Sequence, residues 1–184
     1  NLDLEDEQSF EAVVLSAGKV TGKTESDISY GFIVAKTMSQ EIDDKYRSNF
    51  SLDFNQPIHD YAVARLSKDI FSGNSYVGIT GTRFQNEHKE SSVVSYDGLY
   101  NLLDNRLFVD SQIIYSSADN KNGIGAFLEF EYSIPNMMQF GSSLEYYDTN
   151  LDINDMGYLI RNDLFLLNNR ITYNNDKAFS SLGV

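Results

Sequence analysis

Carboxylates at alternate positions come closest to a catalytic arrangement in this sequence. Glu129 and Glu131 could suggest the acid and base of a glycoside hydrolase. Residues two apart on a strand project from the same side, so the pair more simply lines one wet surface. His59 and His88 fall in predicted loops, and neither has a partner at metal-ligand spacing. We therefore predict no catalysis, no metal and no cofactor.

Two further segments resemble ligand-binding motifs. Residues 17–24 fit a relaxed phosphate-binding loop, which works only where a strand leads into a helix. Another strand is predicted directly after it, so nucleotide binding is disfavoured. Residues 148–159 begin like a calcium-binding EF-hand loop, but Ile153 replaces the required glycine and Leu159 the required glutamate. The EF-hand interpretation fails, and a looser calcium site in this acidic loop stays open.

Composition narrows the class of partner. The chain has 184 residues, a length that favours a single domain spanning residues 1–184. Within it, we predict an acidic lead-in at residues 1–8 and an irregular end at residues 176–184. The formal net charge is −13, and nucleic-acid binding is disfavoured because phosphate contacts need a basic surface. There is no Cys, whereas Tyr and Phe number 12 each. Such aromatic richness indicates side chains on a two-sided sheet.

Hydrophobic periodicity indicates strands throughout. In residues 125–134, one side carries Leu128, Phe130 and Tyr132, and the other carries Glu129 and Glu131. The same period of two recurs along the chain, and helical periodicity is nearly absent. We predict an all-β fold of about ten meandering antiparallel strands, at residues 9–24, 28–38, 60–69, 75–85, 93–103, 106–117, 124–134, 138–147, 157–167 and 170–175.

The lengths of the predicted connections favour a membrane β-barrel. Short turns rich in Asn, Asp and Ser alternate with longer polar links, and Asn168–Asn169 is predicted to be the last tight turn. Outer-membrane barrels have short periplasmic turns and longer extracellular loops. The predicted strands are also close to the ~9–11 residues that a tilted strand needs to cross a bilayer. A soluble β-sandwich or adhesin fragment is the remaining alternative fold.

The strand count has a consequence for the two ends of the chain. With ten strands and periplasmic short turns, both ends lie on the extracellular side. Complete bacterial barrels usually keep both ends in the periplasm. We therefore expect this chain to be part of a larger barrel.

The polar stripe of the strands is the best candidate for a functional surface. In a barrel this stripe lines the lumen and the apolar stripe faces lipid. Acidic residues predominate, which predicts a preference for cations or neutral polar solutes, unless the charges only solvate a narrow interior. The predicted lumen-lining residues are Arg65, Asp97, Asp110, Gln112, Glu129, Glu131, Glu145, Arg161 and Asp163.

Five runs in order resemble a known family. They are LSAGKVTGKT at 15–24, YGFIVAKT at 30–37, DYAVARLSKDI at 60–70, SYVGITGTRF at 75–84 and DINDMGYLIRND at 152–163. Together they resemble the uncharacterised outer-membrane barrel domain that follows a family-nine-type carbohydrate-binding module in many Gram-negative bacteria. The chain departs from that pattern in lacking the module, any Trp and the closing strands. The resemblance implies the first part of a barrel, with no catalytic residues to transfer, and hints at glycan capture or uptake.

The sequence predicts a non-catalytic channel or uptake component of the bacterial outer membrane for small polar solutes or glycans. Its expected surroundings are the lipid bilayer and lipopolysaccharide, without nucleic acid. The alternative is a non-transporting surface barrel whose extracellular loops bind a partner or a glycan. The number of strands separates the two, because about eight to ten leave a filled interior whereas about sixteen leave a water channel.

Overall fold

The structure, a computed structural model, describes residues 13–38 and 58–174. Its strands form one antiparallel sheet. Its nine strands follow chain order, and each pairs with the next. A single 3-10 turn, Phe71–Gly73, connects the third strand to the fourth. The strands are β1 Val14–Lys23, β2 Ile28–Thr37, β3 Asp60–Ile70, β4 Ser75–Gln85, β5 Glu90–Leu102, β6 Leu107–Ala118, β7 Lys121–Ile134, β8 Met138–Tyr147 and β9 Leu164–Tyr173. The all-β antiparallel class is as predicted.

The prediction of ten strands is wrong for the part of the chain that the structure describes. Segments 157–167 and 170–175 are not separate strands, because residues 157–163 are irregular and β9 runs unbroken through the expected turn. Asn168 pairs with Ser143 and Asn169 with Ser142. Pairing along β8 therefore overrides the turn preference of two consecutive asparagines. The start of the predicted first strand, the lead-in 1–8 and the end 176–184 lie outside the described residues.

The connections lie at two ends of the sheet. The turn end holds residues 24–27, 71–74, 103–106 and 135–137, and the loop end holds 86–89, 119–120, 148–163 and, from the link between β2 and β3, the described residues 38 and 58–59. The predicted strict alternation of lengths is wrong, since link 86–89 is as short as a turn and Asp119–Asn120 is the tightest of all. Asp119 has φ 49° and Asn120 φ 61°, the two positive values of a two-residue hairpin turn. This turn lets β6 and β7 pair up to Ala118 and Lys121.

An odd number of strands also changes where the described strands end. β1 begins at the loop end and β9 finishes at the turn end, so the expectation that both ends share one side is wrong for these strands. Among the described strands, β1 and β9 do not pair with each other, and the sheet is open. The described ranges contain no helix of the length and apolarity needed to cross a membrane.

The strand register divides the sheet into two faces, because directly paired residues project to the same side. On the apolar face lies a row of directly paired residues, one from each of β2 to β7: Phe32, Ala64, Gly81, Val94, Tyr115 and Ile124. Counting along each strand from these residues, every second residue also belongs to this face. The polar face contains the row Arg65, Thr80, Ser95, Ile114, Gly125 and Tyr147 and every second residue from each.

Charge is confined to the rim of the apolar face. Its charged residues all lie within three positions of a strand end and are Lys36, Asp60, Lys68, Arg83 and Glu90. From β6 to β9 this face carries no charged residue. Its large apolar side chains are nevertheless exposed, and Ile113 in the middle of β6 is 60% exposed. Water-exposed apolar area on this scale is unusual for a soluble monomer.

Burial concentrates at the loop end of the polar face. The buried side chains there are Thr37, Phe84, Ser91, Ile114, Ser116 and Ala118. They are joined by Leu151 from the connection between β8 and β9, which is 2% exposed. The best-packed region of the described chain is therefore a loop lying on a sheet, not a layer between two sheets.

Candidate functional site

The polar face brings together seven of the nine predicted site residues. They are Arg65, Asp97, Asp110, Gln112, Glu129, Glu131 and Glu145. Arg161 and Asp163 are not among them, because segment 157–167 does not form the predicted strand. Both lie exposed in loop 148–163, and Asp163 has φ 52°, outside strand geometry.

Charge on the polar face is graded from one end of the sheet to the other. Across the loop-end half, Val63, Thr82, Val93, Ser116 and Gly123 form one paired row without a carboxylate, and the charged residues on the strands of this half are Lys19 and Lys121. Towards the turn end, Asp110 pairs directly with Glu129, and Phe108 pairs with Glu131. The carboxylates of this face therefore gather towards the turn end.

Arg65 forms the best-defined polar contact of this face. Its guanidinium donates Nη1 to Asp97 Oδ1 at 2.7 Å and Nη2 to Asp97 Oδ2 at 2.6 Å. Nη1 also donates to Thr80 Oγ1 at 2.6 Å. To reach from β3 to β5, the side chain crosses β4 over Gly78, where an added Cβ would lie 2.8 Å from Nη2. The fork thus ties three strands together, and the glycine leaves space for it.

Removing Arg65 should destabilise the sheet. We expect Arg65→Met to lower the free energy of unfolding by about 1–2 kcal/mol, because it leaves Asp97, only 14% exposed, without its cation. Asp97→Asn in the same background should restore part of that loss. Urea titration of the refolded protein measures both. Arg83→Met is the matched control, since the Arg83–Glu90 pair is 58% exposed on both sides and should contribute less than about 1 kcal/mol.

Two further cations on the polar face form ion pairs that were not predicted from the sequence. Lys23 Nζ lies 2.6 Å from Asp69 Oδ2, and Arg170 Nη2 lies 3.1 Å from Glu131 Oε2. Their positions on this face follow from the register and could have been found once the strand boundaries were correct. Within residues 13–38 and 58–174, the carboxylates of Asp110, Glu129 and Glu145 make no ion pair. A net negative surface therefore remains on β6, β7 and β8.

Loop 148–163 folds back over the loop end of the polar face. Asp152 N donates to Ser116 Oγ at 3.0 Å, which fixes the loop on β6. On β7, Gly123 lies directly beneath it, since an added Cβ there would be 2.3 Å from Leu151 N. Gly125 lies under the Leu151 side chain, with Cδ2 2.9 Å from a Cβ at that position. Two glycines thus provide the flat surface on which the loop rests.

Lys89 connects this loop to the link between β4 and β5. Its Nζ lies 2.8 Å from Asp155 Oδ2 and 3.1 Å from Asp152 Oδ2. The close contact with the Asp155 carboxylate raises the pKa of Lys89, with desolvation opposing it and Asp152 adding to it. Burial disfavours ionisation of Asp152, but the Asn154 amide and Lys89 outweigh it and lower the pKa of the Asp152 carboxyl. Both charges therefore persist at neutral pH.

His59 lies in a loop segment, as predicted, and packs against two aromatic rings. It is half-buried with Tyr61 and Phe84, at ring-centroid distances of 6.0 Å and 5.4 Å. Tyr61 and Phe84 lie 5.3 Å apart, and His59 N donates to Thr37 Oγ1 at 3.0 Å. The contacts are those of an aromatic cluster at the edge of the polar face.

The described residues do not assemble a metal or nucleotide site. No group of three or more His, Asp or Glu side chains in these ranges is arranged to hold a metal ion. In the acidic loop, Asp148 Oδ1 accepts from Asn150 N at 2.6 Å and Asp152 Oδ1 from Asn154 N at 3.1 Å, so these carboxylates shape the loop itself. Residues 17–24 lie in β1 and its hairpin turn, without the helix that a phosphate-binding loop requires.

Comparison with known proteins gives one match. The family model described as Domain of unknown function (DUF5916) matches residues 4–183. No curated protein and no solved structure is significantly similar to the chain.

Proposed function

The chain belongs to the family Domain of unknown function (DUF5916), and we propose that it forms wall strands of an outer-membrane β-barrel that admits small polar solutes. The observation that carries this proposal is the separation of charge between the two faces of the sheet. The apolar face would contact lipid and the polar face would line the passage. No catalytic step is part of the proposal.

The apolar face has the residue distribution of a lipid-facing surface and approaches its height. On β3, the rim charges Asp60 and Lys68 are eight residues apart, which is ~26 Å along the strand at a rise of ~3.3 Å per residue. A tilt of ~40° reduces this to ~20 Å of height, somewhat below the ~25 Å apolar band of such barrels. Aromatic side chains lie near both margins of the apolar face and are Tyr115, Tyr146 and Phe165 towards the loop end and Tyr100, Tyr132, Phe140 and Tyr173 towards the turn end.

A soluble β-sandwich would need a second layer over this face. The described residues supply one sheet, and the side chains that such a layer would cover are exposed. Exposed apolar area of this extent favours a lipid or protein environment over water. This distribution supports the membrane proposal over the soluble alternative.

Solute flux through the reconstituted protein tests the proposal. The purified protein, inserted into liposomes, is expected to show heat-shifted gel mobility and to admit small sugars in a swelling assay. If the protein inserts into the liposomes but no solute enters, the channel function is excluded and the proposal of a membrane barrel remains. A monodisperse protein in detergent-free buffer, with no heat-shifted mobility, would exclude the membrane proposal itself.

The carboxylates without an ion pair should set ion preference. We expect Asp110→Asn combined with Glu129→Gln to shift the reversal potential in a salt gradient towards anions, because two fixed negative charges leave the same paired row. Planar-bilayer recordings measure this shift. Asp104→Asn, in the exposed 103–106 turn, is the matched control and should leave the reversal potential unchanged. An unchanged potential in the double variant would show that Asp110 and Glu129 do not line the conducting path.

A second function is favoured by loop 148–163. Besides covering part of the polar face, this loop exposes Tyr158 and Ile160, which are 81% and 84% accessible. Such side chains suit binding of a partner or glycan by a surface barrel that transports nothing. This alternative is favoured if the wild-type protein carries no flux but binds glycans or cells, and if Tyr158→Ser abolishes that binding.

A further inference from the structure

We propose that residues 148–157 form an inner strap that narrows the passage at the loop end and is held closed by Lys89. The inference rests on the proposed function, since it assigns the strap a role inside that passage. It concerns the loop-end part of the polar face, whose strands carry no carboxylate, at the opposite end from the carboxylates without an ion pair.

The strap contacts the polar face of β6 and β7, and this contact surface is called its seat below. Leu151 is buried against β7, and its backbone lies directly over Gly123, where no side chain could be accommodated. The Ser116 hydroxyl, 1% exposed, accepts the amide of Asp152 at 3.0 Å. One apolar side chain and one backbone hydrogen bond thus fix the segment on β6 and β7.

Lys89 fixes the strap at a separate point. It belongs to the connection between β4 and β5, whereas Leu151 rests on β7, so the segment extends across β5 and β6 between the two attachments. The single ammonium group contacts both Asp152 and Asp155. Loss of that charge would remove the attachment of the strap to the link between β4 and β5 and would leave Asp152 and Asp155 repelling each other within the strap.

The strap is also organised within itself. Asp148 Oδ1 accepts from Asn150 N and Asp152 Oδ1 from Asn154 N, while Asn154 Oδ1 accepts from Leu159 N at 2.8 Å. These local turns hold the segment in shape without the sheet. It can therefore leave or occupy its seat as one unit, hinged where it joins β8.

Thiol labelling tests whether the strap is seated, independently of any flux. Because the chain has no Cys, Leu151→Cys and Tyr158→Cys each introduce a single thiol, the first at the buried contact with β7 and the second exposed in the same loop. In the reconstituted protein, we expect a maleimide to label Leu151→Cys at least ~10-fold more slowly than Tyr158→Cys. Equal rates would overturn the seating.

The same measurement tests the role of Lys89. Adding Lys89→Met should raise the labelling rate of Leu151→Cys several-fold, and Lys89→Arg should preserve protection. Lys121→Met is the matched control, because Lys121 is an exposed cation at the loop end without an ion pair in the described chain. Unchanged protection in Lys89→Met, or an equal effect of Lys121→Met, would remove Lys89 from the mechanism.

Solute flux then tests the narrowing. Ser116→Cys with Asp152→Cys places thiols on two residues already joined by a hydrogen bond, and their disulfide should hold flux below that of the reduced protein. Lys89→Met should raise flux above the wild type. Equal flux in the oxidised and reduced forms would overturn the narrowing. If no form of the protein carries flux, both the proposed passage and its narrowing by the strap are excluded. The labelling rates still decide whether the strap lies against β6 and β7.

Discussion

Ile113→Arg is expected to destabilise the inserted protein by about 2–4 kcal/mol, whereas Gln112→Arg at the adjacent position should be tolerated. Ile113 lies in the middle of β6 on the apolar face, between Tyr96 and Ala126. An arginine there would meet the hydrocarbon core. Gln112 projects to the polar face two residues from Asp110, whose carboxylate makes no ion pair in the described residues and can accept an added cation. Urea titration in phospholipid vesicles measures both free energies of unfolding.

This pair of variants also separates a membrane protein from a soluble one. On a water-exposed face, replacing a 60% exposed isoleucine by arginine changes stability within about 0.5 kcal/mol. An Ile113→Arg protein as stable as the wild type would therefore contradict the lipid-facing assignment. The two substitutions add the same side chain at neighbouring positions, so their difference reports the face alone.

Gly123→Ala is expected to detach loop 148–163 from the sheet. The added methyl group would lie 2.3–2.4 Å from backbone atoms of Asn150 and Leu151, which cannot yield as a flexible side chain would. Detachment exposes Leu151, whose burial contributes about 2–3 kcal/mol. Amide exchange in residues 148–157 should then accelerate by about 30-fold or more, since 1.4 kcal/mol corresponds to a factor of ten. Mass spectrometry of the exchanged peptides measures this rate.

Gly141→Ala serves as the control for that experiment. Gly141 lies on the polar face of β8, and its nearest neighbour, the Arg170 guanidinium, would be 3.8 Å from an added Cβ, an ordinary contact. Exchange in residues 148–157 should therefore remain at the wild-type rate. Equal acceleration in both variants would mean that any alanine in these strands loosens the sheet, and would contradict a specific seat at Gly123.

The two faces of the sheet could be predicted from the sequence because alternation is a local signal. In β7, Glu129 and Glu131 share the polar face with Phe127, as the pattern indicates, and the register places them beside Asp110 and Phe108. Strand pairing needs only neighbouring segments in chain order here. For the same reason, seven of the predicted site residues share one face.

Turns were harder to predict because asparagine and aspartate tolerate the positive φ angles of a turn but do not require them. Asp119–Asn120 adopts two positive φ angles and makes a hairpin, but Asn168 and Asn169 are extended in β9. The difference lies in the partner strand, since β8 offers a continuous ladder to β9. That error moved Arg161 and Asp163 from an irregular loop into a strand.

The fold of loop 148–163 over the sheet had almost no signal in the sequence. It depends on contacts between distant residues, such as Lys89 with Asp155 and Ser116 with Asp152. The one local hint is the pair Gly123 and Gly125, two residues apart on a strand, which marks a place where another backbone approaches closely. Without strand boundaries, nothing indicates which segment that is.

The graded charge of the polar face would also give the proposed barrel an electrical polarity. Carboxylates gather towards the turn end, whereas the charged residues on the strands of the opposite half are the cations Lys19 and Lys121. Mobile cations would accumulate at one mouth and not at the other, so the two directions of an applied voltage would meet different local salt concentrations. Such a pore rectifies, passing more current at one sign of the voltage than at the other even between identical solutions.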